Sequence, residues 1–307
     1  MGFRIATNVQ SLNAQRNLTI SNDMNNLSME KLSSGFRINK ASDDAAGLAI
    51  SDKLRADYRG LIMARRNAND GISLIQTAEG GLNEIGNILS RLRELSIQGA
   101  SDTIGNTERG FLNKEFGQLK DEINRISKTT EFNGTLLLVG DQDDIDDEIK
   151  KRSNTFPLEI QVGKNYFESA DNLDNPNPTN IIRIDFSNVN ASVNEEGLNL
   201  GTSEDDEMSS VASKEMSQKS INVLDEAITK VSSYRSTMGA IQSRLNSTIN
   251  QLSIQAENNA ATNSRIRDTD FAEETAKLAQ SNILKQSGVS VLAQSNQIPS
   301  LALRLLG

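Results

Sequence analysis

The sequence predicts a mainly α protein: a long antiparallel helical coiled coil or bundle formed by the N- and C-terminal segments, with a small β insert in the middle. Three observations predict it. Apolar residues recur at steps of three, four and seven through both ends of the 307-residue chain. Only 36% of residues are hydrophobic and 4% aromatic, with no Trp, which suits helices meeting along narrow seams better than a compact globule. Alternating apolar and polar runs, the mark of strands, are confined to the middle.

Residues 1–34 read as one amphipathic helix after a short irregular start, with Val9, Leu12, Ile20, Met24 and Leu27 as its apolar face. Asn, Gln and Ser dilute that face, so the helix is expected to order only against a partner. A corner follows at residues 31–50. Gly35 interrupts the helical pattern, and Ser42, Asp43 and Asp44 offer N-cap oxygens to a helix restarting at Ala45.

From Ala45 to about Gly99 the pattern is helical, with a small break expected near Asn69-Asp-Gly71. Ile75, Ala78, Leu82, Ile85, Leu89 and Leu92 form a heptad seam. The stretch 72–98 alone would span roughly 40 Å. Ser101–Thr107 is a polar turn. Glu108–Ser127 then forms a second helix with Phe111, Leu112, Phe116, Leu119, Ile123 and Ile126 on its apolar face, giving an antiparallel hairpin. Gly80, Gly81 and Gly86 lie inside the helical pattern, and sequence alone does not decide whether they permit close approach.

The strand signals are Phe132–Val139, with Asn133-Gly134 as a turn, and the alternating runs Leu158–Val162 and Ile181–Phe186. The segments 141–148, 171–180 and 188–207 are expected to be exposed, partly mobile loops. Helix returns near Ser209 and runs to about Asn263. Leu224, Val231, Met238, Leu245 and Leu252 recur every seventh residue, Ile228 and Ile249 fill companion positions, and Arg235 and Gln242 share that companion track as polar seam residues. A last helix from about Phe271 carries Leu278, Ile283, Leu284, Val291 and Leu292, ahead of Pro299 and a leucine-rich tail.

The composition excludes much chemistry. Without Cys or His there is no thiolate, no His base or ligand and no triad built on either. No catalytic residue, cofactor site or metal site is expected. Asp141–Glu148 lacks the glycine and glutamate spacing of an EF-hand and reads as a solvated acidic loop. The pairs Asp43-Asp44 and Asp268/Asp270 sit at helix starts, where capping explains them. No run of about 18 apolar residues exists to span a bilayer, and the N-terminus carries no apolar core of a signal peptide. The net charge is −9, and residues 141–207 hold 17 acids against 5 bases, which disfavours nucleic acid as a partner.

Four blocks resemble bacterial flagellins: Asn8–Leu18, the corner Lys31–Ile50, Ser264–Glu274, and Val291–Gln297 with its leucine tail. With the intervening helices, the resemblance covers about 1–139 and 208–307. It implies a near-minimal flagellin without large outer domains, divided into a terminal coiled-coil domain (1–44 and 267–307, lining the filament core and disordered in the monomer), a helical rod domain (45–139 and 208–266) and a short acidic insert at the outer tip (140–207).

The function implied is a structural subunit that polymerises into the extracellular flagellar filament for swimming. Export would run through the flagellar type III apparatus without a cleaved signal. The implied partners are other copies of the chain, an export chaperone, and the filament cap and hook-junction proteins. The alternatives are a hook–filament junction protein and a secreted host-binding protein. The assembly residues implied are Leu12, Leu18, Leu27, Leu284, Leu292, Leu301, Leu303, Leu305 and Leu306. Arg91, Leu95 and Glu115 match positions used in subunit packing and in the epitope of the vertebrate Toll-like receptor for flagellin. The leucine tail resembles the segment sensed by cytosolic flagellin receptors.

Overall fold

The computed structural model describes residues 8–140, 156–165, 179–194, 196–202 and 209–306, with side chains to residue 297. The acidic stretch 141–148 and most of 171–180 and 203–207 lie outside the described residues. The chain divides into two compact units, residues 1–58 with 257–307, and residues 59–256.

Five helices carry the described fold: α1 (Val9–Ser34), α2 (Ala45–Gly99), α3 (Asn106–Thr129), α4 (Lys214–Arg267) and α5 (Phe271–Leu306). Four short strands lie between α3 and α4: β1 (Glu131–Phe132), β2 (Thr135–Leu136), β3 (Leu158–Gln161) and β4 (Ile181–Ile184). The mainly α architecture with a small central β element is therefore as expected.

The central unit is built on a buried heptad seam. Ile75, Ala78, Leu82, Ile85, Leu89, Leu92 and Leu95 on α2 join Leu224, Ala227, Val231, Met238 and Leu245 on α4 in one core, which Phe116 and Ile123 of α3 also enter. Ile228 and Ile249 pack beside it half-buried. Arg235 is exposed instead of lying in the seam, because its charge is cheaper to leave in water. Phe111 is likewise exposed, at 64%, and does not join the apolar face of α3.

The expected break at Asn69–Gly71 is absent, and α2 is continuous. A side chain at Gly71 would strike Ile160 of β3, so this glycine admits the strand against the helix instead of ending it. Gly81 has the same role, since an added Cβ would meet Thr130 Oγ1 at 2.7 Å and Leu138 Cδ1 at 2.8 Å. Gly80 and Gly86 face open space. The C-terminus of α2 is capped by the buried Arg109, whose guanidinium donates to Gly99 O (2.8 Å) and Ser101 O (2.9 Å).

β1 and β2 pair antiparallel, Glu131 with Leu136 and Phe132 with Thr135. Asn133 and Gly134 take positive φ at the turn (51° and 82°), as the Asn-Gly dipeptide predicts. β3 and β4 form a second antiparallel pair, Leu158 with Ile184 through Gln161 with Ile181.

The described part of 188–207 corrects the expectation of an exposed loop. Val189, Ala191, Val193, Leu198 and Leu200 are buried in the core. Its backbone bonds run both to a distant segment, Ala191 N to Leu138 O (2.8 Å), and within its own turn, Leu200 N to Val193 O (3.0 Å), so irregular chain can sit inside with these amides paired. The buried ammonium of Lys120 ties this segment to α3 by donating to Leu200 O (3.4 Å) and Ser209 O (3.0 Å).

Candidate functional site

In the terminal unit, the ends of the chain meet. Asn8 accepts from Ser11 N at 3.1 Å and caps α1. Gly35, at φ 74°, closes its C-terminus by donating to Lys31 O at 2.9 Å. α5 lies antiparallel to α1, and contacts between them run the length of the pair. Asn8 Nδ2 donates to Ser295 O (2.9 Å) and Ser11 Oγ to Asn296 Oδ1 (2.8 Å). Further along, Asn25 Nδ2 donates to Ser281 Oγ (3.2 Å) and Asn282 Oδ1 (2.8 Å).

The two corners also pair. Phe36 and Asp268 form an antiparallel bridge, with Arg37 N donating to Arg267 O (2.7 Å) and Thr269 N to Gly35 O (3.0 Å). The Arg267 guanidinium lies 4.6 Å from the Phe36 ring centroid, a cation–π contact. Asp44 caps α2 by accepting from Gly47 N at 2.8 Å, and Asp270 caps α5 by accepting from Ala272 N at 2.9 Å. Asp43 does something else. Its carboxylate accepts from Asn39 N and Lys40 N, both at 3.0 Å, and these bonds hold its pKa below the ordinary value. Thus the first of the four sequence blocks meets the last, and the second meets the third.

The chemistry of the seam corrects the apolar stripe expected from α1. The residues of α1 buried against α5 are Ser11, Ala14, Asn25 and Ser28. Facing them on α5, Glu274, Ser281 and Ser295 are buried at multiples of seven. Gly288 completes that track, half-buried, with Leu18 packed against it. Val9, Leu12 (55% exposed), Ile20, Met24 and Leu27 point away from the pair, as do Ile283 (64%), Leu284, Val289 and Val291. Among the expected assembly residues, Leu12, Leu27 and Leu284 are therefore exposed, while Leu18 and Leu292 are half-buried. The backbone of Leu301, Leu303, Leu305 and Leu306 is helical, and α5 passes through Pro299 instead of ending before it.

Apolar periodicity missed this seam because small and polar residues form most of it. The signal was available in the seven-residue spacing of Ser11, Leu18 and Asn25, and of Glu274, Ser281, Gly288 and Ser295.

In the central unit, Arg91 and Glu115 are exposed and paired, Nη2 to Oε1 at 2.9 Å, and Glu94 also engages Arg91 at 3.0 Å. Both carboxylates raise the Arg91 pKa, Glu115 most strongly. Leu95 is fully buried in the core. Among the described residues, no group of acidic side chains could hold a metal ion, and no helix is long and apolar enough to cross a membrane.

Paired terminal helices beside a helical core closed by its own apolar seam define a protein of the self-pairing helical class. The family model for the bacterial flagellin N-terminal helical region matches residues 5–143, and that for the C-terminal helical region matches 221–306. The chain belongs to the bacterial flagellin family, whose members are structural proteins and not enzymes. It is 42% identical to a flagellin of Halalkalibacterium halodurans over 299 residues, covering 97% of this chain and 98% of that one. It is 36% identical to polar flagellin F of Vibrio parahaemolyticus over the whole of both, in an alignment of 382 positions, longer than this chain. A putative flagellar hook-associated protein from Vibrio parahaemolyticus shares the fold at TM-score 0.55 and 14% identity, covering 74% of this chain and all of that one.

Proposed function

We propose that this chain polymerises into the flagellar filament through the outward apolar faces of α1 and α5. The observation that carries the reading is the orientation of Leu12, Ile20, Met24, Leu27, Ile283, Leu284, Val289 and Val291, all exposed on helices already paired through their other faces. Fully burying one such side chain is favourable by about 1.5–3 kcal/mol, so a second copy seated there has a substantial driving force. Filament growth requires a patch that meets a different patch on the next copy, so that the contact repeats without closing. Two helices carrying different apolar faces supply such a pair.

Resemblance to flagellins supports a finer reading. The polymer serves swimming motility, the chain leaves through the flagellar type III apparatus without a cleaved signal, and an export chaperone covers the C-terminal helix until then. The terminal segments 1–44 and 267–307 are the filament core, 45–139 with 208–266 the rod, and 140–207 the outer insert. Arg91 and Glu115, exposed on the rod, are contacts for the next subunit and for the vertebrate Toll-like receptor for flagellin, while Leu95 is held in the core of the rod.

The test is electron microscopy of purified chain seeded with filament fragments, comparing the parent with the triple variant L12Q/L27Q/L284Q. The parent elongates the seeds. The variant keeps its helical circular dichroism and does not elongate them. Elongation by the variant at the parental rate would refute the assembly face, and a parent that caps seeds without extending them would be a junction protein.

A further inference from the structure

The seam between α1 and α5 holds two clusters of hydrogen-bonded side chains where a coiled coil ordinarily places leucines. We propose that these clasps, centred on Asn25, key the rotational setting of the terminal helices, so that their small polar tracks face each other and their apolar residues stay outside. The role goes beyond assembly itself. It assigns Asn25, Ser281 and Asn282, with Ser11 and Asn296, as positioning residues for the assembly face, and it rests on the filament reading only for why that setting matters.

The argument starts from what else the two helices could do. Met24 is next to Asn25, and Ile283 is next to Asn282, which accepts the Asn25 amide at 2.8 Å. Met24 and Ile283 thus lie at one level of the pair, and both are exposed. A rotation of each helix about its axis would bring such residues together inside the pair, burying apolar surface within one chain and removing it from the face offered to the next. The hydrophobic effect alone does not forbid that alternative.

The clasps do so by direction. Asn25 is buried and its amide donates to two oxygens on α5, while Ser11 Oγ reaches Asn296 Oδ1 at 2.8 Å at the far end. Both sets are made only when the present faces meet. A lone buried Asn in a coiled coil fixes alignment by the same logic, since the other arrangements lose its partner. The bridge between Phe36 and Asp268 holds the near end of the pair, and the two clasps carry the setting along the helices beyond it.

Because the chain has no cysteine, disulfide trapping reads the setting without background. A Cβ built on Gly288 would lie 3.9 Å from Leu18 Cβ, close to the separation in a disulfide, so L18C/G288C reports the clasped setting. M24C/I283C reports the rotated one. Each pair is oxidised in the full-length chain, as monomer and after seeding, and intramolecular products are separated from dimers on non-reducing gels. In the parental background L18C/G288C closes faster than M24C/I283C. Adding N25L shifts that ratio by about tenfold or more towards M24C/I283C, the weight of one or two net hydrogen bonds, and slows seeded elongation. Adding N25S, which keeps a hydroxyl beside Ser281, shifts it less.

An unmoved ratio in N25L and N25S, no preference in the parent in either state, or loss of both disulfides together with helicity in N25S would overturn the proposal. Failure of the parent to form filaments would count against the filament reading alone, because the trapping ratio is also read on the monomer.

Discussion

The two units use one helical geometry with opposite chemistry. In the central unit the heptad positions are Ile75, Leu82, Ile85, Leu89 and Leu92 against Leu224, Val231, Met238 and Leu245, all shut away from water. In the terminal unit the equivalent inward positions are Ser11, Ala14, Asn25 and Ser28 against Glu274, Ser281 and Ser295, with Leu18, Leu278 and Leu292 half-buried and most other large apolar residues of α1 and α5 outside. The central unit therefore spends its apolar surface on its own core. The terminal unit aligns its helices with hydrogen bonds, each of modest net worth, and keeps its apolar surface for contacts outside the chain.

The widest test of that contrast is a matched pair of truncations. Leu82 is fully buried, and L82A should cost about 2–5 kcal/mol of stability in urea unfolding. Leu12 is 55% exposed, and L12A should leave monomer stability within about 0.5 kcal/mol. Its effect should appear in seeded elongation instead. Equal losses from the two would mean that the terminal helices bury Leu12 within the chain.

A smaller effect tests whether the irregular segment of the central unit is truly interior. Lys120 is 2% exposed, its ammonium lies 5.7 Å from the Phe116 ring centroid, and it donates to the carbonyls of Leu200 and Ser209. Ser209 Oγ also donates to Leu200 O at 2.5 Å, so K120M would leave the Ser209 carbonyl the poorer of the two. The expected loss is about 1–3 kcal/mol, with faster amide exchange at Leu200 and Gly201. Unchanged exchange there would show that Lys120 does not hold the segment.

What was legible in the sequence follows the same division. Large apolar residues at regular spacing announce themselves, so the seams of α2 and α4 and the Asn133-Gly134 hairpin were readable residue by residue. The pairing of the chain ends was readable as well, though the faces that pair were not. A Ser–Asn–Gly track has no hydrophobic period, and Leu12 or Leu284 looks the same in sequence whether it is buried by its own chain or by another. Asn69–Gly71 misled for a related reason. Glycine signals a break locally, and only the approach of Ile160 explains its presence inside a helix. Buried Val189, Ala191, Val193, Leu198 and Leu200 were hidden because they sit on irregular backbone, tied by turns and by a bond to distant Leu138, which resembles a loop in any pattern based on periodicity.

The corner between α1 and α2 separates two neighbouring carboxylates by function. Asp44 accepts from Gly47 N and should behave as an N-cap, so D44A should cost about 0.5–2 kcal/mol and fray the start of α2, visible as faster amide exchange at Ala46 and Gly47. Equal exchange in parent and variant would remove Asp44 from the cap.

Asp43 gives the smallest and most local signal. The N–H groups of Lys40 and Asn39 both point at its carboxylate and lower its pKa, the Lys40 bond contributing most. A depressed acid contributes stability above its unfolded pKa and loses it as pH falls through the lower folded value. The corner should therefore keep its turn through mild acid and loosen only below the ordinary aspartate range. Following the Asp43 carboxyl carbon by NMR across that range gives the midpoint, and the Asn39 and Lys40 amide shifts should move with it. D43N should abolish that acid-dependent movement. A midpoint at the ordinary aspartate value would mean that the two amides do not reach the carboxylate in solution. The corner would then rest on the Phe36–Asp268 bridge and the Asp44 cap alone, and the terminal unit would be held by fewer polar contacts than its seam implies.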